Sequence, residues 1–161
     1  MKILGKKSLS SVITIFLKIL LILCIAAIIS GAYIIVKNID LLASLTIFKT
    51  LLLIYLSSIP ALILIIQFLK IFENLREEKV FIESNIKKLK ISYITSIIIG
   101  IIFMINSMIL FFQTTDPNIL VYRILTSTVT LVFLIFGIGL VVLTEIYKKA
   151  LKFKEENDLT I

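Results

Sequence analysis

Residues 91–115 read ISYITSIIIGIIFMINSMILFFQTT, a stretch with no charged side chain. Three further stretches share this property: residues 19–36, 50–69 and 124–144. A hydrocarbon core of about 30 Å is crossed by roughly 20 helical residues at about 1.5 Å per residue. Each stretch is therefore long enough, or nearly so, for one transmembrane helix. A mean hydropathy of +1.14 and a hydrophobic content of 60% leave too little polar surface to cover a soluble fold.

The predicted fold is all-α: one integral membrane four-helix bundle with antiparallel spans. The spans are expected at about residues 12–36, 50–69, 91–113 and 124–144. Residues 70–90 are predicted to form a cytoplasmic helical hairpin, called the connector, and residues 145–161 a cytoplasmic tail. Helices 2, 3 and 4 would then extend past the bilayer. Little of the 161 residues remains for a soluble catalytic or ligand-binding domain.

The basic residues predict the orientation of the spans. Thirteen Lys and Arg residues fall in the N-terminal segment, the connector and the tail, and three fall on the opposite side: Lys37, Lys49 and Arg123. Positive charge on short loops favours the cytoplasmic side, so both termini are predicted to be cytoplasmic. Orientation accounts for the net charge of +7 without any direct nucleic-acid binding, which acidic residues in the connector also disfavour.

The N-terminal segment has a charge pattern that also occurs in signal peptides. Lys2, Lys6 and Lys7 precede an apolar run, and residues 30–32 (Ser-Gly-Ala) resemble a cleavage site. The apolar character continues through Val36, which makes the run longer than a usual signal-peptide core. An uncleaved first helix is therefore predicted, with cleavage as the alternative.

The side-chain inventory excludes several classes of site. The chain has no His, and Cys24 is its only cysteine. Cys/His metal sites and an intrachain disulfide are therefore excluded, and no cofactor is expected. Paired carboxylates, a Ser–Lys pair at matched depth and a Gly-rich phosphate loop do not occur in the sequence. Lys18 and Glu145, both near the predicted cytoplasmic interface, would form a structural ion pair, so no enzymatic activity or catalytic residue is predicted.

Polar side chains within the spans predict contacts between helices. Asn106 is the most polar of them, and an isolated amide is costly in hydrocarbon, so an interhelical hydrogen bond is expected. A contact to a substrate or an ion is the alternative. Ser57 and Ser58 precede Pro60, where a kink would free carbonyls that hydroxyls can satisfy. Asn106, Ser57 and Ser58 are thus the predicted polar contacts of the bundle.

Helix 1 carries small residues at helical spacing, namely Ala26, Ala27, Ser30 and Gly31. Helix 3 repeats this pattern with Ser96 and Gly100. Small residues allow two helix backbones to approach closely. Packing within the bundle is the expected role, and a homo-oligomer is the alternative.

Apolar residues at helical spacing on the connector and the tail predict a docking surface, consisting of Phe72, Leu75, Phe81, Ile82, Ile86 and Phe153. A bend is expected around residues 79–81. The surface would pack against the tail, lie on lipid headgroups or bind a partner, and the sequence leaves these three open. On the tail, Glu145 and Lys149 are spaced for an i,i+4 ion pair.

Two segments carry a family resemblance. The first segment is the connector, which resembles the cytoplasmic-loop motif of the DUF2975 family. The residues that carry this resemblance are Leu75-Arg76, Lys79-Val80-Phe81 and Asn85-Ile86-Lys87-Lys88-Leu89. Residues 142–161, VLTEIYKKALKFKEENDLTI, resemble the C-terminus of that family. The resemblance implies a four-span protein of the bacterial plasma membrane. Members often carry Gly and Pro before the loop Phe, where this chain has Glu78 and Val80. The geometry of this turn is therefore where the chain is expected to differ from other members of the family.

The resemblance implies a genomic context and no particular activity: such genes frequently neighbour one for a small Cro/CI-type helix-turn-helix regulator. The first hypothesis is accordingly a non-enzymatic membrane protein, surrounded by the lipid bilayer, that binds this DNA-binding regulator through its connector and tail. The alternative is a small-molecule or peptide transport or immunity-type membrane protein. Such a protein would need buried ionisable residues or a broken helix with exposed ends. Between the span ends the chain has Asn106, Pro60 and hydroxyls, but no carboxylate and no cation at the middle of the bilayer.

Overall fold

The computed structural model describes residues 5, 8–37, 46–113 and 117–158 of the chain. These residues contain the α-helices α1 (Leu9–Lys37), α2 (Thr46–Arg76), α3 (Glu83–Gln113) and α4 (Pro117–Asp158). The prediction of an all-α fold is confirmed, and all four helices are long and apolar enough to cross a membrane. Each helix is longer than its charge-free stretch because backbone hydrogen bonding continues through the charged residues at the helix ends.

Helices that are consecutive in the chain pack against each other in antiparallel pairs, α1 with α2, α2 with α3, and α3 with α4. Two glycines allow a close approach between α3 and α4. A Cβ atom on Gly100 would lie 2.8 Å from Cδ2 of Leu134, and one on Gly137 would lie 2.9 Å from Cγ1 of Ile97. The α3–α4 interface is therefore as close as it is because both positions lack a Cβ atom.

The side chains between the helices are mostly polar, whereas the large apolar side chains face outward. The buried polar residues of α3 and α4 are Asn85, Ser92, Thr95, Ser96, Asn106, Thr126, Thr130 and Thr144. Phe112, by contrast, is 80% exposed. Many of the threonine hydroxyls bond to their own helix, as Thr144 Oγ1 does to the Leu140 carbonyl at 2.6 Å. This distribution is typical of helices that are surrounded by lipid.

Side-chain hydrogen bonds to main-chain carbonyls also join α3 to α4. Ser96 Oγ donates to the Phe133 carbonyl at 2.8 Å. Arg123 Nε donates to the Leu110 carbonyl at 3.0 Å, and its Nη2 donates to the Phe111 carbonyl at 3.3 Å. The last carbonyls of a helix have no partner within the helix, so Arg123 caps the C-terminal end of α3.

Helix α1 lies at the edge of the bundle. Its small-residue face approaches α2, where a Cβ on Gly31 would lie 3.6 Å from the Tyr55 ring. Tyr55 Oη donates to the Ile28 carbonyl at 3.3 Å. Among the described residues, α1 makes no comparable backbone contact with α4. Much of the apolar surface of α1 is therefore exposed, including Ile22 and Leu23.

Candidate functional site

The turn between α2 and α3 is a Schellman motif. The Lys79 N–H donates to the Asn74 carbonyl at 2.9 Å, and the Glu78 N–H donates to the Leu75 carbonyl at 3.1 Å. Glu78 has a φ of 64°, the left-handed conformation that favours glycine. The predicted bend is present here, and the turn keeps a glycine-type geometry although the chain carries Glu at this position.

Asn85 fixes the segment that connects the two helices. Its side chain is fully buried and accepts a hydrogen bond at 2.6 Å from Asn74 Nδ2. Its own Nδ2 donates to the carbonyls of Lys79 at 3.1 Å and Val80 at 2.8 Å. Asn85 was not among the predicted site residues. Two asparagines on either side of a turn were the available signal, because such side chains satisfy non-helical backbone groups.

A small apolar cluster holds α4 against this hairpin. Ile71, Leu89 and Leu140 form its buried centre, and the residues packed around it are Phe68, Leu75, Tyr93 and Tyr147. The Phe81 ring lies 5.6 Å from the Tyr147 ring. Burial raises the pKa of the Tyr147 phenol above its usual value. The connector thus packs on residues 145–158 of α4, which lie beyond the predicted span and are called the extension of α4.

A groove of about 320 Å³ runs between the start of α3 and the extension of α4. We call it the α3–α4 groove, and its lining residues are Glu83, Ile86, Lys87, Lys148, Leu151, Lys152 and Glu155. Ile86 and Leu151 supply its apolar surface, and the charged side chains form its rim. Phe153, on the same extension of α4, is 65% exposed.

The six predicted docking residues divide among different environments. Leu75 packs against the apolar cluster, and Ile86 lines the α3–α4 groove. Phe81 is 38% exposed, and Phe153 is 65% exposed. The other two, Phe72 and Ile82, are half-buried.

The ion pairs at this end differ from two predictions. Glu145 pairs with Lys148 at 2.6 Å, one residue before the predicted Lys149. Lys18 pairs with Glu73 of the adjacent α2 at 3.3 Å, so the predicted Lys18–Glu145 pair was wrong. The reason is that α1 packs on α2, whereas α4 lies on the other side of the bundle. Exposed pairs of this kind stabilise the fold by at most about 1 kcal/mol each.

Lys88 lies beside the groove residues on α3. Burial is the main cause that lowers its pKa, and the positive charge of Lys70 lowers it further. Its Nζ donates to Ser84 Oγ at 2.7 Å. The same helical turn also carries the Lys87–Glu83 pair, with 3.8 Å between the charged atoms. All three lysines that line the groove are in exposed ion pairs: Lys87, Lys148 and Lys152.

A second pocket, of about 270 Å³, lies towards the opposite end of the bundle. Its lining residues are Thr50, Leu51, Ile54, Asn106, Leu110, Tyr122 and Thr126. Asn106 is 1% exposed, and neither Nδ2 nor Oδ1 has a hydrogen-bond partner among the described residues. The predicted interhelical hydrogen bond of Asn106 is therefore not formed in this part of the chain.

Ser57 and Ser58 also bond differently from the prediction. Their hydroxyls donate to the carbonyls of Ile54 and Tyr55, each at 2.6 Å, within α2 itself. A serine on a helix reaches the carbonyl one turn back more easily than a neighbouring helix. Helix α2 continues without interruption through Pro60. These hydroxyls thus stabilise the turn before Pro60 rather than a helix–helix contact.

A comparison with protein families gives a match over nearly the whole chain. A family model described as "Protein of unknown function (DUF2975)" matches residues 6–161. The chain belongs to the DUF2975 family. The resemblance carried by the connector and the tail is thereby confirmed. No curated protein and no solved structure matches the chain.

In this DUF2975 protein the groove and the pocket are well separated. Ile86 lines the groove and Asn106 lines the pocket, and both lie on α3. Twenty residues of helix separate them (106 − 86), which corresponds to about 30 Å. That distance is close to the thickness of a hydrocarbon core. The two sites are thus independent and call for separate functional arguments.

Proposed function

We propose that this DUF2975 protein is a non-enzymatic, multi-pass protein of the bacterial plasma membrane that binds a cytoplasmic protein at the α3–α4 groove. The observation that carries the proposal is the length of α4, which has 42 residues and extends for roughly 60 Å. A helix that only crosses a hydrocarbon core needs about half of that length. The extra turns carry one wall of the groove.

The alignment of α3 with α4 supports the proposal that the C-terminal end of α4 projects beyond α3. Gly137 lies against Ile97, and the Ser127 and Ser107 hydroxyls are 2.8 Å apart. In both pairs the residue numbers sum to 234, so an antiparallel continuation brings Leu151 level with residue 83, where α3 begins. The residues of α4 after Leu151 then extend past α3, and they include the exposed Phe153.

The proposed orientation is supported by the segments that share one end of the bundle. A Cβ on Gly5 would lie 3.2 Å from Oε1 of Glu78 in the hairpin turn, and the groove joins the hairpin to the extension of α4. Gly5, the hairpin turn and the extension of α4 thus lie at one end of the bundle. The sequence segments to which they belong contain thirteen of the basic residues. The positive-inside rule supports a cytoplasmic location for this end.

The groove suits an amphipathic helix of a partner protein. Ile86 and Leu151 provide an apolar contact of one to two helical turns. Lys148 and Lys152 are in exposed ion pairs with Glu145 and Glu156, and because exposed pairs are weak they can exchange these partners for acidic residues that flank an apolar stripe. The genomic context implied by the family resemblance makes a small helix-turn-helix regulator the proposed partner. Binding at this groove would hold such a regulator at the membrane.

Photocrosslinking in native membranes tests this proposal. A photoreactive residue at Ile86 or Phe153 is expected to give a discrete adduct that mass spectrometry identifies as a small helix-turn-helix protein. The same residue at Leu75, inside the apolar cluster, should give only intrachain adducts. At Phe112, which is 80% exposed on the apolar surface, it should label lipid. If all four positions gave only lipid adducts or intrachain adducts, the result would contradict the proposal.

Charge substitutions separate groove binding from non-specific proximity. Leu151→Asp places a charge on the apolar part of the groove and is expected to reduce the Phe153 adduct by about tenfold or more, because an unpaired buried charge is costly. Lys149→Asp changes an exposed residue of the same helix outside the groove lining and serves as the control. An unchanged adduct in a normally inserted Leu151→Asp variant would argue against the groove.

Cysteine labelling tests the proposed orientation of the chain in the membrane. Cysteines are introduced singly at Lys37 and Lys154 in a Cys24→Ser background. A membrane-impermeant maleimide should label the Lys37→Cys variant in intact cells and the Lys154→Cys variant only after permeabilisation. The reverse pattern would place the groove outside the cytoplasm and would exclude a DNA-binding partner.

A further inference from the structure

The pocket around Asn106 has walls from three helices. Thr50, Leu51 and Ile54 come from α2, Asn106 and Leu110 from α3, and Tyr122 and Thr126 from α4. Leu51 is 38% exposed and Tyr122 is 62% exposed, so the pocket reaches the outer surface of the bundle. The described lining contains no charged side chain. A ligand would therefore enter sideways, from the surroundings of the helices.

Asn106 gives this apolar pocket its polar character. A carboxamide offers two N–H donors on Nδ2 and an acceptor at Oδ1, and both atoms are buried without a partner among the described residues. Leaving these groups unpaired in an apolar site is costly. The nearby Thr126 hydroxyl donates to the Tyr122 and Arg123 carbonyls, at 2.9 and 3.1 Å, so only its oxygen is available to Asn106 or a ligand, as an acceptor.

We propose that this pocket binds a neutral, lipophilic small molecule that carries a primary amide or a lactam. Such a group presents a carbonyl and an N–H on the same side, so it pairs with Asn106 through two hydrogen bonds. The ester carbonyls of phospholipids only accept hydrogen bonds and would leave Oδ1 unpaired. An ionised ligand would lose its hydration without gaining a counter-charge from the pocket. The assignment is independent of partner binding at the α3–α4 groove.

The volume sets the size of the ligand. An apolar cavity of about 150 Å³ holds one benzene molecule. The pocket of about 270 Å³ is therefore suited to an aromatic or cyclic group with a short alkyl chain. A suitable probe is para-pentylbenzamide, whose amide would reach Asn106 while its pentyl chain lies among Leu51, Ile54 and Leu110. The matched probe para-pentylacetophenone has the same shape but a methyl group in place of the NH₂.

Equilibrium binding to the full chain in nanodiscs tests the assignment. Tritiated para-pentylbenzamide is expected to bind saturably above the background of empty nanodiscs. The ketone should compete about tenfold more weakly, because it leaves Oδ1 of Asn106 unpaired. Asn106→Leu, which keeps a similar volume, should weaken amide binding by about tenfold or more. Ser107→Ala changes the next residue on α3 and should leave the dissociation constant unchanged.

A second variant tests the cavity itself. Ile54→Phe fills part of the pocket and is expected to abolish saturable binding of the amide while Asn106 is retained. No saturable binding to the wild-type chain, or equal affinity in the wild type and in a folded Asn106→Leu variant, would overturn the assignment. Equal competition by amide and ketone would also overturn it. So would a phospholipid that native mass spectrometry finds on the wild type and not on Asn106→Leu, since the occupant would then be lipid.

Discussion

Asn74 and Asn85 join the two arms of the α2–α3 hairpin through a hydrogen bond of 2.6 Å. Asn74 belongs to the last helical turn of α2, and its carbonyl also accepts the Lys79 N–H of the Schellman motif. Asn85 belongs to the first turn of α3 and bonds to two carbonyls of the intervening turn. The pair therefore determines the direction in which α3 leaves α2, and with it one wall of the α3–α4 groove.

Asn85→Ala is expected to destabilise the hairpin. The substitution leaves the Asn74 amide and two turn carbonyls without their partner in a buried site, at a cost of roughly 2–4 kcal/mol. Thermal unfolding followed by circular dichroism in detergent measures the effect. Ser84→Ala, at an exposed position, should change stability by less than about 0.5 kcal/mol. Equal unfolding temperatures for the two variants would show that the Asn74–Asn85 contact is dispensable.

Glu78→Gly is expected to stabilise the protein. Glu78 has a φ of 64°, and a left-handed conformation costs a residue with a Cβ atom roughly 1 kcal/mol relative to glycine. Arg76→Gly, in the last helical turn of α2, should have the opposite sign because glycine weakens a helix by about 1 kcal/mol. Chemical denaturation of both variants gives the comparison. A loss of stability in Glu78→Gly would mean that the Glu78 side chain contributes more than the turn geometry costs.

Hydropathy predicted the helices well and their neighbours poorly. The absence of charge from residues 91–115 was enough to predict a helix that the structure has at Glu83–Gln113. It gives no information about which helices are in contact. The sequence therefore predicted an ion pair between Lys18 and Glu145, whereas the structure has Lys18 paired with Glu73. Helix–helix register depends on complementary packing of small side chains, as at Gly100 and Gly137. That property is shared between two helices and does not follow from either one alone.

Gly137→Ala is expected to push α3 and α4 apart. The new Cβ would lie 2.9 Å from Cγ1 of Ile97 and 3.5 Å from the Ile97 backbone nitrogen, and overpacking of this kind costs typically about 1–3 kcal/mol. Gly139→Ala provides the control on the same helix, since a Cβ there would meet nothing within 4 Å. It should be neutral or slightly stabilising, because alanine favours helix. Unfolding temperatures in the same detergent compare the two.

The candidate site shows the same boundary between what a sequence can and cannot predict. Asn106 was identified because an amide within a charge-free span is costly. The expected partner on another helix does not occur among the described residues, and Asn106 lines a pocket instead. Whether a buried amide faces a side chain or a cavity depends on the shapes of the three helices around it. A sequence pattern indicates the free-energy cost of burying one polar side chain, and it carries no information on those shapes.

Asn106→Leu and Asn85→Leu are expected to change stability in opposite directions. Both replace a buried asparagine by leucine, but Asn85 makes three hydrogen bonds and neither polar atom of Asn106 has a partner among the described residues. Removing an unsatisfied buried amide should stabilise the fold by roughly 1–2 kcal/mol, whereas removing a satisfied one should cost about 2–4 kcal/mol. Denaturation of the purified chain, without added amide, measures both. Destabilisation of similar size in both variants would mean that Asn106 is satisfied in the folded protein, which leaves no unpaired amide for a ligand to recognise.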